Sequence, residues 1–169
     1  MVHHLEFEQW IRLPAARVFE FFSDPKNLPR LMPVSSQTRL EKLDLIPAPI
    51  PPSGNSAEKA AGVGSMITTS FLLFPPLPFR ARWIARITEF EWNHHFADLQ
   101  EKGPFKSWHH RHEFLGESRS GVGGTLIRDN VDYEIGMGIF ETMANALFVR
   151  RQMQRTFLER QQRLPGLLG

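Results

Sequence analysis

The chain has 169 residues, a formal charge of +2 and no cysteine, a length most simply read as one domain that buries roughly 70% of the surface its unfolded form exposes. Without thiols there is no disulfide framework, no cysteine-ligated metal and no thiolate mechanism, which leaves histidine and carboxylate as the only strong ligands. The small charge gives no basis for nucleic-acid binding, and neither a charged leader with an apolar run nor any stretch of about 18 apolar residues occurs, so the expectation is a soluble, cytoplasmic protein.

In chain order, HLEFEQWIR at 4–12 alternates loosely, with Leu5, Phe7 and Gln9 on one face and Glu6, Glu8 and Trp10 on the other, and predicts a strand. LPAARVFEFFSDP has a proline where a first helical turn tolerates it and Val18, Phe19 and Phe22 at helical spacing; it predicts one short amphipathic helix, stopped by SDP. KNLPRLMP has room for a second helical turn, and SSQTRLEKLDLI reads as a strand. The segment 46–62 is rich in proline, serine and glycine and has no hydrophobic period, which predicts an exposed, mobile loop inserted between strands.

Four further strands follow: SMITTSFLLF, PFRARWIARITEF, HHFADLQ and the run GPFKSWHHRHEF continuing to about Leu115. In the second, Phe79, Ala81, Trp83, Ala85 and Ile87 face one way and Arg80, Arg82 and Arg86 the other. TLIRDNVDY is the last strand, after a GESRSGVGG loop. From Ile139 to about Leu164 no proline or glycine interrupts a helical period carried by Phe140, Met143, Leu147, Phe148, Phe157 and Leu158. Arg150, Arg151, Arg155, Arg160 and Arg163 of this segment read as its solvated side. Consecutive strands joined by short turns, covered by one long amphipathic helix, give an α+β fold with an antiparallel sheet.

That order, with FADLQEKGPFKSWHHRHEF, TLIRDNVDY and LFVRRQ, resembles the superfamily of START domains, polyketide cyclases and dehydrases, and pollen allergens (SRPBCC). Within it the chain looks most like small bacterial members with a pattern matched here by Gly103, Pro104, Phe105, Trp108, His110, His112 and Phe114. The resemblance covers nearly the whole chain. It implies a helix-grip fold: a curved seven-stranded sheet around the C-terminal helix, two short helices after the first strand, and a hydrophobic cavity between sheet and helix. It leaves activity open, since the superfamily holds carriers, receptors and enzymes.

Fourteen phenylalanines and four tryptophans against one tyrosine suit such a greasy interior. Strand periodicity turns Trp108, His110, His112 and Phe114 inward and Ser107, His109, Arg111 and Glu113 outward. The next strand offers Thr125, Ile127, Asp129, Val131 and Tyr133 as its apolar face. A loop centred near Ser118 to Ser120 sets His110 opposite Asp129; a slip of two residues pairs His112 with Asp129 instead. Either register brings a carboxylate and two imidazoles close together on an apolar wall, directly opposed residues standing about 5 Å apart at Cβ, and Asp98 and Gln100, alternating with Phe96, add polar groups.

Three readings follow: a satisfied polar network, oriented groups that read a ligand's carbonyl or hydroxyl, and metal or acid-base chemistry by His110, His112 and Asp129. His94 and His95 belong at the rim, and His3 and His4 at the surface. Cavity lining is expected from Met66, Phe71, Phe74, Trp83, Phe140, Met143 and Leu147, beside Phe96, Trp108, Phe114 and Tyr133. The tip LLFPPLPF at 72–79 is a candidate lip for a partner or transient membrane contact. No phosphate loop or nucleophile motif is present. The leading expectation is binding of a small hydrophobic ligand with no cofactor or metal; the rival is a cyclase- or dehydratase-like enzyme using His110, His112 and Asp129.

Overall fold

The computed structural model describes residues 1–51, 58–73, 77–136 and 148–169. Seven strands form one antiparallel sheet: β1 (His3–Ile11), β2 (Arg39–Asp44), β3 (Met66–Leu72), β4 (Arg80–Glu91), β5 (His95–Lys102), β6 (Ser107–Arg119) and β7 (Val122–Glu134). Their order is β1-β7-β6-β5-β4-β3-β2, so β1 alone crosses over to pair with the last strand. Register shifts in β2 at Leu40/Lys42 and in β4 at Ile84/Ala85 and Ile87/Glu89 are the irregularities that bend a sheet into a grip. Between β1 and β2 lie α1 (Ala15–Ser23), a short 3-10 turn and α2 (Leu28–Leu31), and the chain ends in α3 (Arg150–Leu168). Among the described residues no helix is long and apolar enough to cross a membrane.

Phe19 of α1 is fully buried and seals one end of the sheet. Its ring lies edge-on to Phe90, Phe96 and Phe114 at centroid distances of 5.3, 5.9 and 5.2 Å, an arrangement that pairs ring edges with ring faces. A second aromatic group, Trp83, Phe105, Trp108 and Tyr133, closes the other end, with Trp83 and Trp108 perpendicular at 5.0 Å. Phe157 of α3 stacks on Phe7 of β1 at 4.1 Å, which seats the helix on the sheet.

Two expectations change here. The segment 46–62 is not wholly an exposed loop: Ala48, Ala60 and Ala61 are buried, Pro47 bridges to Ala61, and Trp92 Nε1 donates to the Pro49 carbonyl at 2.9 Å. Its ends are core, and residues 52–57 lie outside the described part. The last helix also continues through Pro165 to Leu168 rather than stopping near Leu164. A proline there removes the bond to the carbonyl four residues back, that of Gln161. Gln9 Nε2 donates to this carbonyl at 2.8 Å, and Gln161 Nε2 donates to the Glu8 carbonyl at 3.0 Å. The orphaned acceptor is thereby satisfied from β1. Gln9→Ala is expected to lower stability by about 1 kcal/mol, the net contribution of a hydrogen bond to this part-buried acceptor, as measured by urea denaturation; Gln9→Ala with native stability would remove this role.

Candidate functional site

The hairpin turn between β6 and β7 decides which residues meet. Ser120 and Gly121 both have positive φ, 49° and 78°, the paired left-handed conformation of a two-residue hairpin turn. Centring the turn there, rather than at Ser118 to Ser120, moves the register by two: His112 faces Asp129, His110 faces Val131 and Trp108 faces Tyr133. On the other side of β6, His110 faces Asp98 and His112 faces Phe96. The two histidines are thus each flanked by one carboxylate, from opposite strands.

Asp129 serves both rings. His110 Nε2 lies 2.9 Å from its Oδ1, and His112 Nδ1 stands 2.6 Å from the same oxygen but off the line of a directional hydrogen bond. His110, His112 and Asp129 are 5%, 6% and 7% exposed, which makes the balance of burial against partners decisive. Burial pushes the Asp129 carboxyl up, yet His112, His110 and the Arg160 guanidinium together hold it well below the carboxylate range. Burial, reinforced by His112, pushes His110 down to about 3 against the pull of Asp129. His110 is therefore neutral at pH 7, so Nε2 carries the hydrogen given to Asp129, and Nδ1 presents a lone pair toward Asp98, 3.9 Å away. Burial, with the charge of Asp129 adding to it, pushes Asp98 up to about 6 against the pull of His112, His109 and Arg160.

Asp98, His110 and His112 border a cavity of about 1170 Å³ between the sheet and α3, whereas Asp129, expected in the lining, lies behind the two imidazoles and does not border it. Most of the remaining lining is apolar, including Ile67, Ala85, Ile87, Phe96 and Met153. Asp98, His110 and His112 each offer one ligand atom, and these lie within 4.8 Å of one another, a two-histidine, one-carboxylate composition suited to iron or zinc. Asp129 would stand behind both rings, as outer carboxylates do at such centres; in the triad expected from the sequence it was a ligand instead. Arg160 reaches both Asp98 and Asp129 electrostatically, which disfavours a cation beside them and favours a ligand bearing a hydrogen-bond acceptor.

A family model described as polyketide cyclase/dehydrase and lipid transport matches residues 11–162. The chain belongs to this family. No curated protein matches the sequence. Among solved structures, this polyketide cyclase/dehydrase family member is similar to the protein TTHA0849 from Thermus thermophilus, with TM-score 0.66 and 17% identity over 98% of this chain and 97% of that one. It is similar to ginseng major latex-like protein 151 from Panax ginseng, with TM-score 0.64 and 13% identity over 98% and 96%. It also resembles norcoclaurine synthase from Thalictrum flavum, with TM-score 0.60 and 13% identity over 96% and 86%. These likenesses establish the helix-grip fold.

Within that fold the expected lining divides. Trp83, Phe96, Asp98, Trp108, His110 and His112 border the cavity, as does Phe71. Phe114 and Tyr133 do not: both are sealed into aromatic clusters by neighbours. Gln100 clasps the next turn, its Nε2 donating to the Phe105 carbonyl at 2.7 Å and its Oε1 accepting from Phe105 N at 3.3 Å. The clasp presses on Gly103, where a Cβ would come within 2.2 Å of Gln100 Oε1. Gln100 thus positions Phe105, a cavity residue, instead of lining the cavity itself. Met66 is on the opposite face, since Ile67, Thr69 and Phe71 take the inner positions of β3. His3, expected at the surface, lies against Tyr133 at 5.3 Å between centroids. Phe74, Phe140, Met143 and Leu147 lie outside the described residues.

Arg160 is the cavity residue that sequence reading placed on the solvated side. It is 8% exposed and borders the cavity. Its spacing from Met153, Phe157 and Leu164, at seven, three and four residues, is the signal that puts it on the buried side.

The opposed shifts of Asp98 and His110 have a thermodynamic signature. Between pH 3.8 and about 6 the folded chain keeps a proton on Asp98 that the unfolded chain has released, so this group makes stability fall as pH rises. Between about 3 and 6.5 the unfolded chain carries a proton on His110 that the folded chain lacks, so this group makes stability rise. Asp98→Asn leaves the second effect unopposed, and its stability is expected to climb more steeply than native from pH 4 to 6. Parallel denaturation profiles for the two proteins would contradict these assignments.

Proposed function

We propose that this single domain binds or carries a small hydrophobic molecule, of lipid, polyketide-like or quinone-like character, without covalent catalysis. The cavity carries this reading: about 1170 Å³ is ample for a ligand of drug or lipid size, and apolar walls with a few oriented polar groups are what such sites need. Leu77, half exposed at the edge of the cavity, and Phe79, 62% exposed beside it, give the mouth an apolar lip for loading from a hydrophobic source. The cysteine-free composition suits a cytoplasmic setting.

A neutral apolar fluorophore such as N-phenyl-1-naphthylamine is expected to bind the native protein saturably. Ala85 borders the cavity from β4, and Ala85→Trp, which fills space there, is expected to weaken that binding about tenfold or more while the variant stays folded. The absence of saturable binding by the native protein would end this reading.

Cyclase- or dehydratase-like proton transfer is the second reading, and Asp98 is the observation favouring it. A carboxyl pushed up to about 6 in a cavity wall sits near the pH at which a general acid or base is most effective. His110, pushed down to about 3, is a weak base, and Asp129 is engaged in holding the two rings. On this reading Asp98→Asn loses turnover of a linear polyketone more completely than His110→Gln; equal loss would return the role to the histidines.

A further inference from the structure

Arg160 is the only arginine or lysine that is buried among the described residues. Among them its guanidinium makes neither a hydrogen bond nor an ion pair, and it lies 4.6 Å from the centroid of the Phe157 ring. Several more exposed arginines are partnered: Arg111 with Glu89 and Glu113, Arg128 with Glu8, and Arg163 with the Arg30 carbonyl. A buried guanidinium with open donors is costly to leave unpaired. The nearby carboxylates do not meet it. Asp129 directs an oxygen to the two imidazoles, and Asp98 acts on Arg160 only through its field.

Arg160 also ends a polar row. Gln152, Thr156 and Arg160 recur every four residues on α3 and all border the cavity, while their burial increases from exposed through intermediate to buried. The row runs alongside the apolar pair Met153 and Phe157. A polar head entering near Gln152 has hydrogen-bonding groups along its path and the guanidinium at the inner end.

We propose that Arg160 receives the carboxylate of an apolar monocarboxylic acid whose hydrocarbon part fills the cavity. This rests on the hydrophobic-ligand reading and narrows it to a ligand class. The guanidinium fork matches a carboxylate through two parallel hydrogen bonds. One negative charge suits one guanidinium. A phosphate dianion would set a second charge beside Asp98 and Asp129 with no further buried lysine or arginine among the described residues to balance it.

Calorimetry with dodecanoate, 1-dodecanol and dodecyl phosphate tests this. The acid is expected to bind the native protein about 10- to 100-fold more tightly than the alcohol, the difference a charge-assisted bond makes. Arg160→Gln is expected to bring the acid to the level of the alcohol without changing alcohol affinity, and Arg160→Lys to keep part of the preference. Equal binding of acid and alcohol by native protein overturns the proposal while leaving the hydrophobic-ligand reading intact. So does a preference for acid that survives Arg160→Gln, or tighter binding of the phosphate than of the acid. Failure of all three to bind overturns both readings. If Arg160→Gln does not fold, the native comparison and Arg160→Lys decide.

Discussion

The hairpin of β6 and β7 turns on Ser120 and Gly121, and the meeting of Asp129 with both imidazoles follows from that geometry. Two left-handed residues at the turn fix one pairing for two strands of 13 residues each. In that pairing His112 is level with Asp129, and His110, one inward position further from the turn, reaches the same oxygen diagonally. A slip of one residue would carry both imidazoles out of the cavity. A slip of two would keep them inside but set His110 level with the carboxylate. The position of a surface turn thus determines the protonation chemistry of the interior.

Desolvation then gives three chemically distinct groups from two residue types. Asp129, touched by two imidazoles, stays ionised; Asp98, buried near that charge, is pushed toward neutrality; His110, between them, is neutral. Aromatic rings border the patch on several sides, with Phe96 4.4 Å and Phe22 5.7 Å from the His112 centroid and Phe157 5.5 Å from that of His110. Burial by these rings amplifies the differences between neighbours. In water the same three side chains would titrate close to their ordinary values.

Much of this was legible in the sequence because strand periodicity is local. The inward set of β6 and the burial of Thr125, Ile127, Asp129, Val131 and Tyr133 follow from alternation alone. The register was not, because GESRSGVGG offers several places to turn and only backbone conformation selects Ser120 and Gly121. Facing inward also differs from meeting the cavity: Phe114 and Tyr133 point in but are covered by rings distant in sequence. Gln100 was misjudged for a related reason, since its partner is a backbone that folds back onto it. Arg160 was hidden by its charge. The apolar residues spaced around it are the pattern of a buried face, and an arginine among them resembles surface only when residue type is weighed above position.

The clasp between Gln9 and Gln161 has a mechanical side. It fastens α3 to β1 near the end of the helix, where Leu164 and Leu168 are also core. The opposite end carries Phe148, Val149 and Gln152, which border the cavity, with Phe148 and Gln152 exposed. The clasp therefore fixes the C-terminal turns of α3, and with them the buried Arg160, against β1.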